Sequence, residues 1–448
     1  MAEQPLEHLR KIRLDKLERV RKSGLDPSPA HLGPIVPIAE ARKGRGKPVA
    51  VAGRLMATRL QGKIAFADLK DFSGKIQLFF SEEELGKDYQ QFRDFIDIGD
   101  FLRAEGPVFT TKAGEISVRV KKLQLLAKAL RPLPEKWHGL KIVEERYRQR
   151  YLDLIANPEV RDLFLARTKI IQSLRHFLDR ADFIEVETPT LQPIPGGAAA
   201  RPFVTRYNAY DTDVYLRVAP ELYLKRLLVG GFERVYEFAR VFRNEGVDAV
   251  HNPEYTDLEF YWAYADYEKL MDFTEDLVIE VAKAVRGEPT LEREGKEIRL
   301  KKPFRRVSFS EATLGRGSDE AFKDYVRKET GPVFVVDHPT TLSPLAKRKD
   351  ERHVERFQLV AGEMEFVNAF TELNDPLEQR ERFLEQEKAR AKGDEEAQRL
   401  DEDFLTALEY GMPPAGGWGM GVDRFILLLT GRHAIRETIL FPFMKPKK

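Results

Sequence analysis

The chain has 448 residues, a formal net charge of +1 and no cysteine. Because it contains no thiol, disulfides and cysteine-bound zinc are excluded. Hydrophobic residues make up 42% and charged residues 33%, which is typical of a globular protein with a buried core. No apolar run reaches the roughly 20 residues of a membrane helix, and the N-terminal residues lack the apolar segment of a signal peptide. These features predict a cytoplasmic protein without membrane segments.

The first 47 residues form a separate, basic region. Apolar residues between Leu6 and Val20 recur at helical spacing, and Gly24 ends this pattern before a proline- and glycine-rich stretch. Residues 1–47 contain eleven Lys and Arg against six Asp and Glu. That excess fits contact with phosphates and also fits a solvated helix face. We therefore predict an N-terminal helix and linker here.

From residue 49 the pattern changes to short β-rich runs separated by glycine-containing turns, with one helical interruption at 82–95. About five such strands predict a small closed barrel of the OB type, which we assign to residues 48–130. The proline-containing segment 131–150 is predicted to be a linker. Taken alone, Phe66 is most simply interpreted as a core residue of one strand.

The remainder, residues 151–448, mixes helices and strands. Helix and strand do not alternate regularly, which favours an α+β domain over a doubly wound parallel sheet. The patterns predict a long amphipathic helix at 157–181, strands within 203–218, 233–243 and 254–265, a helix at 266–285 and a charged helical stretch at 384–409.

Residues 240–267, which begin RVFRNEGVDAVHNPEYTDLEF, contain two β-like runs that flank a loop with Arg243, Glu245, His251 and Asn252. Arginine suits a phosphate because it can donate two parallel hydrogen bonds, and Tyr255 could support a flat base. The spacing of Arg243 and Glu245 would place both on one face of a strand. A surface ion-pair ladder on a hairpin explains the same pattern.

Two further segments contain glycine and proline clusters. TPTLQPIPGGAAARPF, from Thr188, alone predicts only turns and a loop. GMPPAGGWGMGVDRFILLL, from Gly411, has a glycine-rich entry that permits close backbone approach to a ligand, and Arg424 then opens an apolar helix. Each cluster alone is also compatible with an ordinary turn.

In this order, the three segments resemble the signature motifs of class II aminoacyl-tRNA synthetases. FIEVETP resembles motif 1, FRNEG with HNPEYTDLE resembles motif 2, and GMGVDR resembles motif 3. The resemblance implies a catalytic domain built on an antiparallel sheet flanked by helices. An OB barrel ahead of that domain is the arrangement of the lysine, aspartate and asparagine enzymes. RPLPEKWHGL, RYRQRYLDLI, PIPGGAAARPF, APELYLKRLLVGGFERVYE and FVNAFTELNDP are similar to lysyl-tRNA synthetases, from about residue 49 to the C-terminus.

The resemblance implies ATP- and Mg²⁺-dependent activation of L-lysine, transfer of lysine to tRNA(Lys), and a homodimer. It implies catalytic roles for Arg243 and Arg424. The implied ATP-binding residues are Arg243, Glu245, His251, Asn252, Tyr255, Glu365 and Arg424. The implied lysine-binding residues are Gly197, Glu221, Arg243, Glu259, Tyr261, Asn368 and Glu372. The implied anticodon-binding residues are Arg59, Phe66, Gln77 and Glu115.

Two features depart from the family pattern. Gln358 stands where the family has its first magnesium-binding carboxylate, whereas the second, Glu365, is present. The segment between residues 315 and 332 is also shorter than the helical insertion of the family. These departures leave open an RNA-binding or regulatory paralogue that does not activate an amino acid. A synthetase for another amino acid is disfavoured by the acidic pocket, because an aspartate enzyme would need a cation there. Aminoacyl transfer to lipid or protein is a third alternative.

Overall fold

A computed structural model describes residues 6–134 and 140–447 of the protein. The chain divides into two compact units, Met1–Gly139 and Leu140–Lys448. Within the described ranges, no helix is both long enough and apolar enough to cross a membrane.

The first unit is built around a β-barrel. Its strands are β1 (Pro48–Gln61), β2 (Ile64–Lys70), β3 (Lys75–Ser81), β4 (Phe101–Thr110), β5 (Ile116–Arg119) and β6 (Lys122–Ala127). Its helices are α1 (Leu6–Lys22), α2 (Ile38–Ala41), α3 (Glu82–Leu85) and α4 (Lys87–Phe95). Five strands form a ring in the order β1-β2-β3-β5-β4, which closes where β4 pairs with β1, and β6 pairs with β4. The predicted OB-type barrel is confirmed.

Alternation along the strands determines which side chains fill the barrel. In β2, Ala65 and Ala67 point inward and are buried, so Phe66 between them points to the outer face. Val20 of α1 and Ile38 of α2 are buried in the same barrel core. The N-terminal helix and linker region therefore packs onto the barrel, because burial of these apolar residues stabilises it there.

The last β-rich run of the barrel sequence, residues 115–126, is divided between β5 and β6. A Cβ atom at Gly106 of β4 would lie 1.9 Å from the carbonyl oxygen of Arg119. The two backbones thus approach more closely than any other residue type would permit. The interruption of the strand at Val120 and Lys121 lies beside this close approach.

The second unit is an α+β domain. Its helices are α5 (Val143–Arg148), α6 (Arg150–Ala156), α7 (Pro158–Arg180), α8 (Glu221–Val229), α9 (Tyr267–Arg286), α10 (Phe309–Ala312), α11 (Asp319–Val326), α12 (Pro376–Ala391), α13 (Glu402–Glu409) and α14 (Val422–Thr430). Its first strands are β7 (Ile184–Glu185), β8 (Leu191–Gln192), β9 (Val204–Tyr207), β10 (Thr212–Leu216), β11 (Arg234–Phe242) and β12 (Glu254–Ala263). The others are β13 (Thr290–Arg293), β14 (Lys296–Arg299), β15 (Arg305–Ser308), β16 (Val333–Pro339), β17 (His353–Ala361), β18 (Met364–Thr371) and β19 (Ala415–Gly421).

Eight of these strands form one sheet in the order β15-β16-β17-β18-β19-β12-β11-β7. Its six central strands are antiparallel, and only the outermost pairs, β15 with β16 and β7 with β11, are parallel. The predicted antiparallel sheet flanked by helices is therefore confirmed, with parallel pairing restricted to the edges.

Strand β12 shows how the two faces of this sheet differ. Leu258 and Phe260 point into the main core, where α7, α9 and α14 cover the sheet, and Trp418 of β19 stacks on Phe260 with ring centroids 4.8 Å apart. Alternation places the intervening residues Asp257 and Glu259 on the opposite face. That face carries the polar residues predicted to bind ligands.

The structure corrects three local predictions in this unit. The predicted linker 131–150 contains helix α5, in which Tyr147 is buried, and its residues 135–139 lie outside the described residues. Arg243 and Glu245 do not share a strand face, because β11 ends at Phe242 and both residues lie in the following loop. The predicted helical stretch 384–409 is two helices, α12 and α13, and Gly393 between them has a φ of +105° that ends the first.

Candidate functional site

A cavity of about 770 Å³ lies over the polar face of the large sheet. Strands β12, β17, β18 and β19 form its base, and the loop after β11 and the start of α14 form part of its wall. The structure brings into this cavity all the residues predicted for the catalytic domain except Glu372. They are Gly197, Glu221, Arg243, Glu245, His251, Asn252, Tyr255, Glu259, Tyr261, Gln358, Glu365, Asn368 and Arg424.

Arginines and an aromatic ring are concentrated at one end of the cavity. The guanidinium carbon of Arg243 lies 5.5 Å from the ring centre of Tyr255. Nη1 of Arg424 donates to Oε2 of Glu365 at 2.9 Å, and Nη2 donates to Nε2 of His251 at 2.9 Å. The loop after β11 is thus tied to the first turn of α14. This arrangement places fixed positive charges beside an aromatic surface.

Asn252 and Asp423 fix the backbone around these arginines. Asn252 donates through Nδ2 to the carbonyl oxygen of Glu254 at 2.6 Å, and none of the residues described here donates to its buried Oδ1. The carboxylate of Asp423 is fully buried, accepts from the backbone nitrogen of Thr256 at 2.8 Å and contacts Arg167. Asp423 therefore connects β12, α7 and α14, while Asn252 keeps an acceptor available for a ligand.

The other end of the cavity is acidic. Glu221 and Glu259 are both buried, and Glu259 accepts a hydrogen bond from the hydroxyl of Tyr261 at 3.0 Å. Glu372 lies fully buried behind β19, where a Cβ atom at Gly417 would lie 1.8 Å from its Oε1. Lys225 of α8 donates to Oε1 of Glu221 at 2.6 Å and contacts Oε2 of Glu372.

Burial raises the pKa of carboxylates that line this cavity. It raises the pKa of Glu259 well above its ordinary value, and the nearby carboxylates of Asp257 and Glu221 raise it further. The pKa of Asp257 rises to about 7, because burial outweighs the opposing effect of Arg243. A cation that enters this end would favour the ionised carboxylates, so the geometry is suited to an ammonium group.

The two residues predicted to bind magnesium are committed to other contacts. Oε1 of Gln358 accepts from Nε2 of the buried His338 at 2.8 Å, and Glu365 is bound to Arg424. The described part of the chain contains no cluster of three or more His, Asp or Glu side chains placed to hold a metal ion. Mg²⁺ often takes only one or two protein carboxylates together with substrate phosphates, and Glu365 fits that mode of binding.

The short segment that precedes β16 also reaches the cavity. Ser318 caps helix α11 by accepting from the backbone nitrogen of Ala321, and Asp319 and Lys323 of this helix line the cavity wall. Nζ of Lys323 lies 2.8 Å from the carboxylate of Asp319. A charged pair from the compact helix α11 thus borders the cavity at the segment that was predicted to be short.

In the barrel, several phenylalanine side chains lie together on part of the outer face. Phe66 lies opposite Arg59 across β1 and β2, and its ring centre is 5.4 Å from that of Phe79. Phe109 lies 5.8 Å from Phe79, and the guanidinium carbon of Arg119 lies 5.1 Å from the ring centre of Phe109. Such a surface of half-buried rings and arginines is suited to stacking with exposed bases.

The other two predicted anticodon residues occupy different environments. Gln77 is buried, and its Oε1 accepts from the hydroxyl of Ser117 at 2.9 Å. Glu115 is exposed and lies 3.7 Å from Arg42. Glu115 is therefore accessible to a ligand, whereas the buried Gln77 is bonded to Ser117 and helps to hold that residue in place.

Several residues of these surfaces were missed by sequence analysis: Lys225, Asp257, Arg356 and Asp423 in the second unit, and Phe79, Phe109 and Arg119 in the barrel. Two sequence signals could have found some of them. Lys225 follows Glu221 by four residues in a helix, and Asp257 lies midway between Tyr255 and Glu259 in a strand.

This arrangement of an antiparallel sheet, an arginine-bearing loop and an arginine-bearing helix defines a class II tRNA synthetase. A family model described as "tRNA synthetases class II (D, K and N)" matches residues 142–445, and one described as "OB-fold nucleic acid binding domain" matches residues 49–126. Proteins named "Lysine--tRNA ligase" from Carboxydothermus hydrogenoformans and Roseiflexus sp. strain RS-1 are each 49% identical to the chain. The first alignment covers 100% of both chains, and the second covers 99% of both. The chain therefore belongs to the class II tRNA synthetases of the D, K and N group, within the family of the lysine–tRNA ligases.

A third relative with the same name, from Syntrophomonas wolfei subsp. wolfei, is 46% identical over 100% of this chain and 99% of its own. The alignment with the Carboxydothermus protein extends over 491 positions, against 448 residues in this chain. That relative thus has residues for which this chain has no counterpart.

Proposed function

We propose that this chain is a lysine–tRNA ligase that activates L-lysine with ATP and transfers it to tRNA(Lys). The observation that carries the proposal is the division of one cavity into a cationic, aromatic end and a buried acidic end. The first suits a nucleotide with its phosphates, and the second suits an amino acid with an additional ammonium group.

The proposed chemistry requires positioning and charge stabilisation without a covalent protein nucleophile. A carboxylate oxygen of lysine attacks the α-phosphorus of ATP, and pyrophosphate leaves as lysyl-adenylate forms. Arg243 holds the attacking carboxylate and the α-phosphate, while Arg424 holds the γ-phosphate. A ribose hydroxyl at the 3′ end of the tRNA then attacks the lysyl carbonyl, and AMP leaves.

The nucleotide is held by the groups around these arginines. Tyr255 stacks on adenine, and the free acceptor on Asn252 takes a hydrogen bond from its amino group. Glu245 and His251 contact the rest of the nucleotide. Support comes from the cation–aromatic contact of Arg243 with Tyr255 and from the position of all four groups in one cavity.

Lysine is recognised at the acidic end. Glu221 binds the α-ammonium beside the backbone of Gly197, whose left-handed conformation brings it close to Glu221. Glu259 and Glu372, with Tyr261 and Asn368, bind the ε-ammonium. A neutral side chain is rejected because these buried carboxylates would lose their cation.

Exchange of labelled pyrophosphate into ATP tests this function, and we expect it to depend on lysine. Glu259→Gln removes one charge from the ε-ammonium site, so it should raise the KM for lysine by a factor that corresponds to about 1.5–3 kcal/mol, while the KM for ATP stays nearly constant. Equal changes in both constants would show that Glu259 does not recognise the side chain. Absence of exchange with any amino acid would favour the RNA-binding paralogue.

Magnesium would be held by Glu365 and by the ATP phosphates, where it neutralises phosphate charge. Gln358 adds at most a neutral oxygen, and that oxygen already accepts from His338. We expect Gln358→Glu to lower the magnesium concentration that gives half-maximal exchange, because a carboxylate binds this hard cation better than an amide does. An unchanged magnesium curve would show that residue 358 does not face the metal.

Anticodon binding is assigned to the outer face of the barrel, with Phe66 stacked on a base and Arg59, Gln77 and Glu115 near base edges. Phe66→Ala should weaken charging of tRNA(Lys) by about 1–3 kcal/mol and leave exchange without tRNA intact. Phe72→Ala, at an exposed phenylalanine of the same barrel, is the matched control. A collapse of exchange in Phe66→Ala would identify Phe66 as a folding residue.

A homodimer is supported by exposed apolar side chains around the first motif: Leu165, Ile184, Leu191 and Val204. Covering them with a second copy would remove this apolar surface from water. Light scattering at micromolar concentration should give twice the 51.6 kDa of one chain. Ile184→Lys should shift the protein towards the monomer, while Leu377→Lys, at an exposed leucine elsewhere, should not. A fully active monomeric wild type would contradict the dimer.

A further inference from the structure

The acidic end of the cavity contains a cation of its own. Lys225 on α8 is completely buried, donates to Oε1 of Glu221 at 2.6 Å and contacts Oε2 of Glu372. Its Nζ lies 5.6 Å from the ring centre of Phe370 and 5.9 Å from that of Phe404. One ammonium group therefore bridges two carboxylates that the proposed function assigns to the two ends of the substrate.

A buried charge is costly unless it is paired, so this bridge has a structural cause. The hydrogen bond to Glu221 and the contact with Glu372 orient both carboxylates before any ligand arrives. Oε1 of Glu372 faces the glycine backbone of β19 and, among described residues, has no hydrogen-bond donor.

The charges around Lys225 come from several elements. Glu221 is on the same helix, Glu372 follows β18, and Glu259 and Tyr261 are on β12. Other ionisable groups that act on these carboxylates are Asp257, Glu237 and Arg356. Of these carboxylates, Glu221 and Glu372 contact the ammonium of Lys225. A substrate with an α-ammonium and an ε-ammonium would add two positive charges to this acidic cluster.

We propose that Lys225 is a positioning residue for lysine specificity, because it orients Glu221 and Glu372 towards the two ammonium groups of a doubly cationic amino acid. This inference rests on the proposed function. Lys225 does not touch the reacting atoms. Its ammonium opposes the effect of burial, which raises the pKa of both carboxylates, and it therefore favours their ionised form.

Lys225→Met in the full-length chain tests this role, since Met is similar in length and carries no charge. Burial already raises the pKa of Glu221 and Glu372, and without the ammonium that opposes it their protonated forms are favoured further. The KM for lysine in pyrophosphate exchange should therefore rise about tenfold or more at pH 7, and it should fall more steeply with rising pH than the wild-type KM does. The KM for ATP should change less than about twofold.

Lys128→Met is the matched control. Lys128 is a buried lysine of the barrel that also bridges two carboxylates, Asp97 and Asp100. Its loss should leave the lysine KM and its pH dependence at the wild-type values. An equal effect in both variants, or equal changes in the KM for lysine and for ATP in Lys225→Met, would overturn the proposal.

A second variant, Lys225→Arg, keeps a cation at this position. Its lysine KM, and the pH dependence of that KM, should lie closer to the wild-type values than those of Lys225→Met. No difference between the two variants would overturn the proposal. Lysine-independent or absent exchange in the wild type would instead contradict the proposed function, so the two failures are distinguishable.

Discussion

The alternation of side chains along β12 is the constraint on which the second unit depends. One set of residues, Leu258 and Phe260, fills the main core, while Asp257 and Glu259 between them face the cavity. A shift of this strand by one residue would place carboxylates in the core and aromatic rings in the site. Pairing with β11 on one side and β19 on the other fixes the register, so the stability of the sheet and the position of the acidic groups have the same origin.

A second set of contacts connects the loop after β11 with α14. Arg424 bonds to His251 from that loop and to Glu365 from β18, and Asp423 next to it bonds to the backbone of β12. The guanidinium is therefore held from several directions before any phosphate arrives. Such preorganisation reduces the reorganisation that accompanies charge development during catalysis. The contacts of Arg424 with His251 and of Asp423 with Thr256 each join residues more than a hundred positions apart in the sequence.

Much of the fold could be predicted from local patterns. Strands with turn residues between them indicated the barrel, and irregular alternation of helix and strand indicated the α+β domain. The division of the last barrel strand could not be predicted, because it depends on the close approach of Gly106 to Arg119, which lies in a different strand. Likewise, Gly393 separates two helices within a charged, helix-favouring sequence because its backbone adopts a left-handed conformation.

In the candidate site, the sequence motifs indicated which residues take part, and the structure shows which of them contact each other. No local pattern shows that Lys225 meets Glu372, since these residues are far apart in the chain. Phe66, interpreted from its strand alone as a core residue, points outward because Ala65 and Ala67 fill the inside of the barrel. Its neighbours Phe79 and Arg119 are brought together only by barrel closure. The sequence therefore predicted which residues belong to the site, but it could not predict which charged residues, distant in the chain, pair with each other.

Gly417 of β19 has a consequence for the evolution of this pocket. A methyl group at position 417 would lie 1.8 Å from Oε1 of Glu372 and 2.6 Å from a ring carbon of Tyr261. The floor of the acidic end is consequently main chain at this position, and a side chain here would displace both groups. Descendants of this sequence could therefore change their substrate more readily through the side chains of β12 and the end of β18 than through position 417.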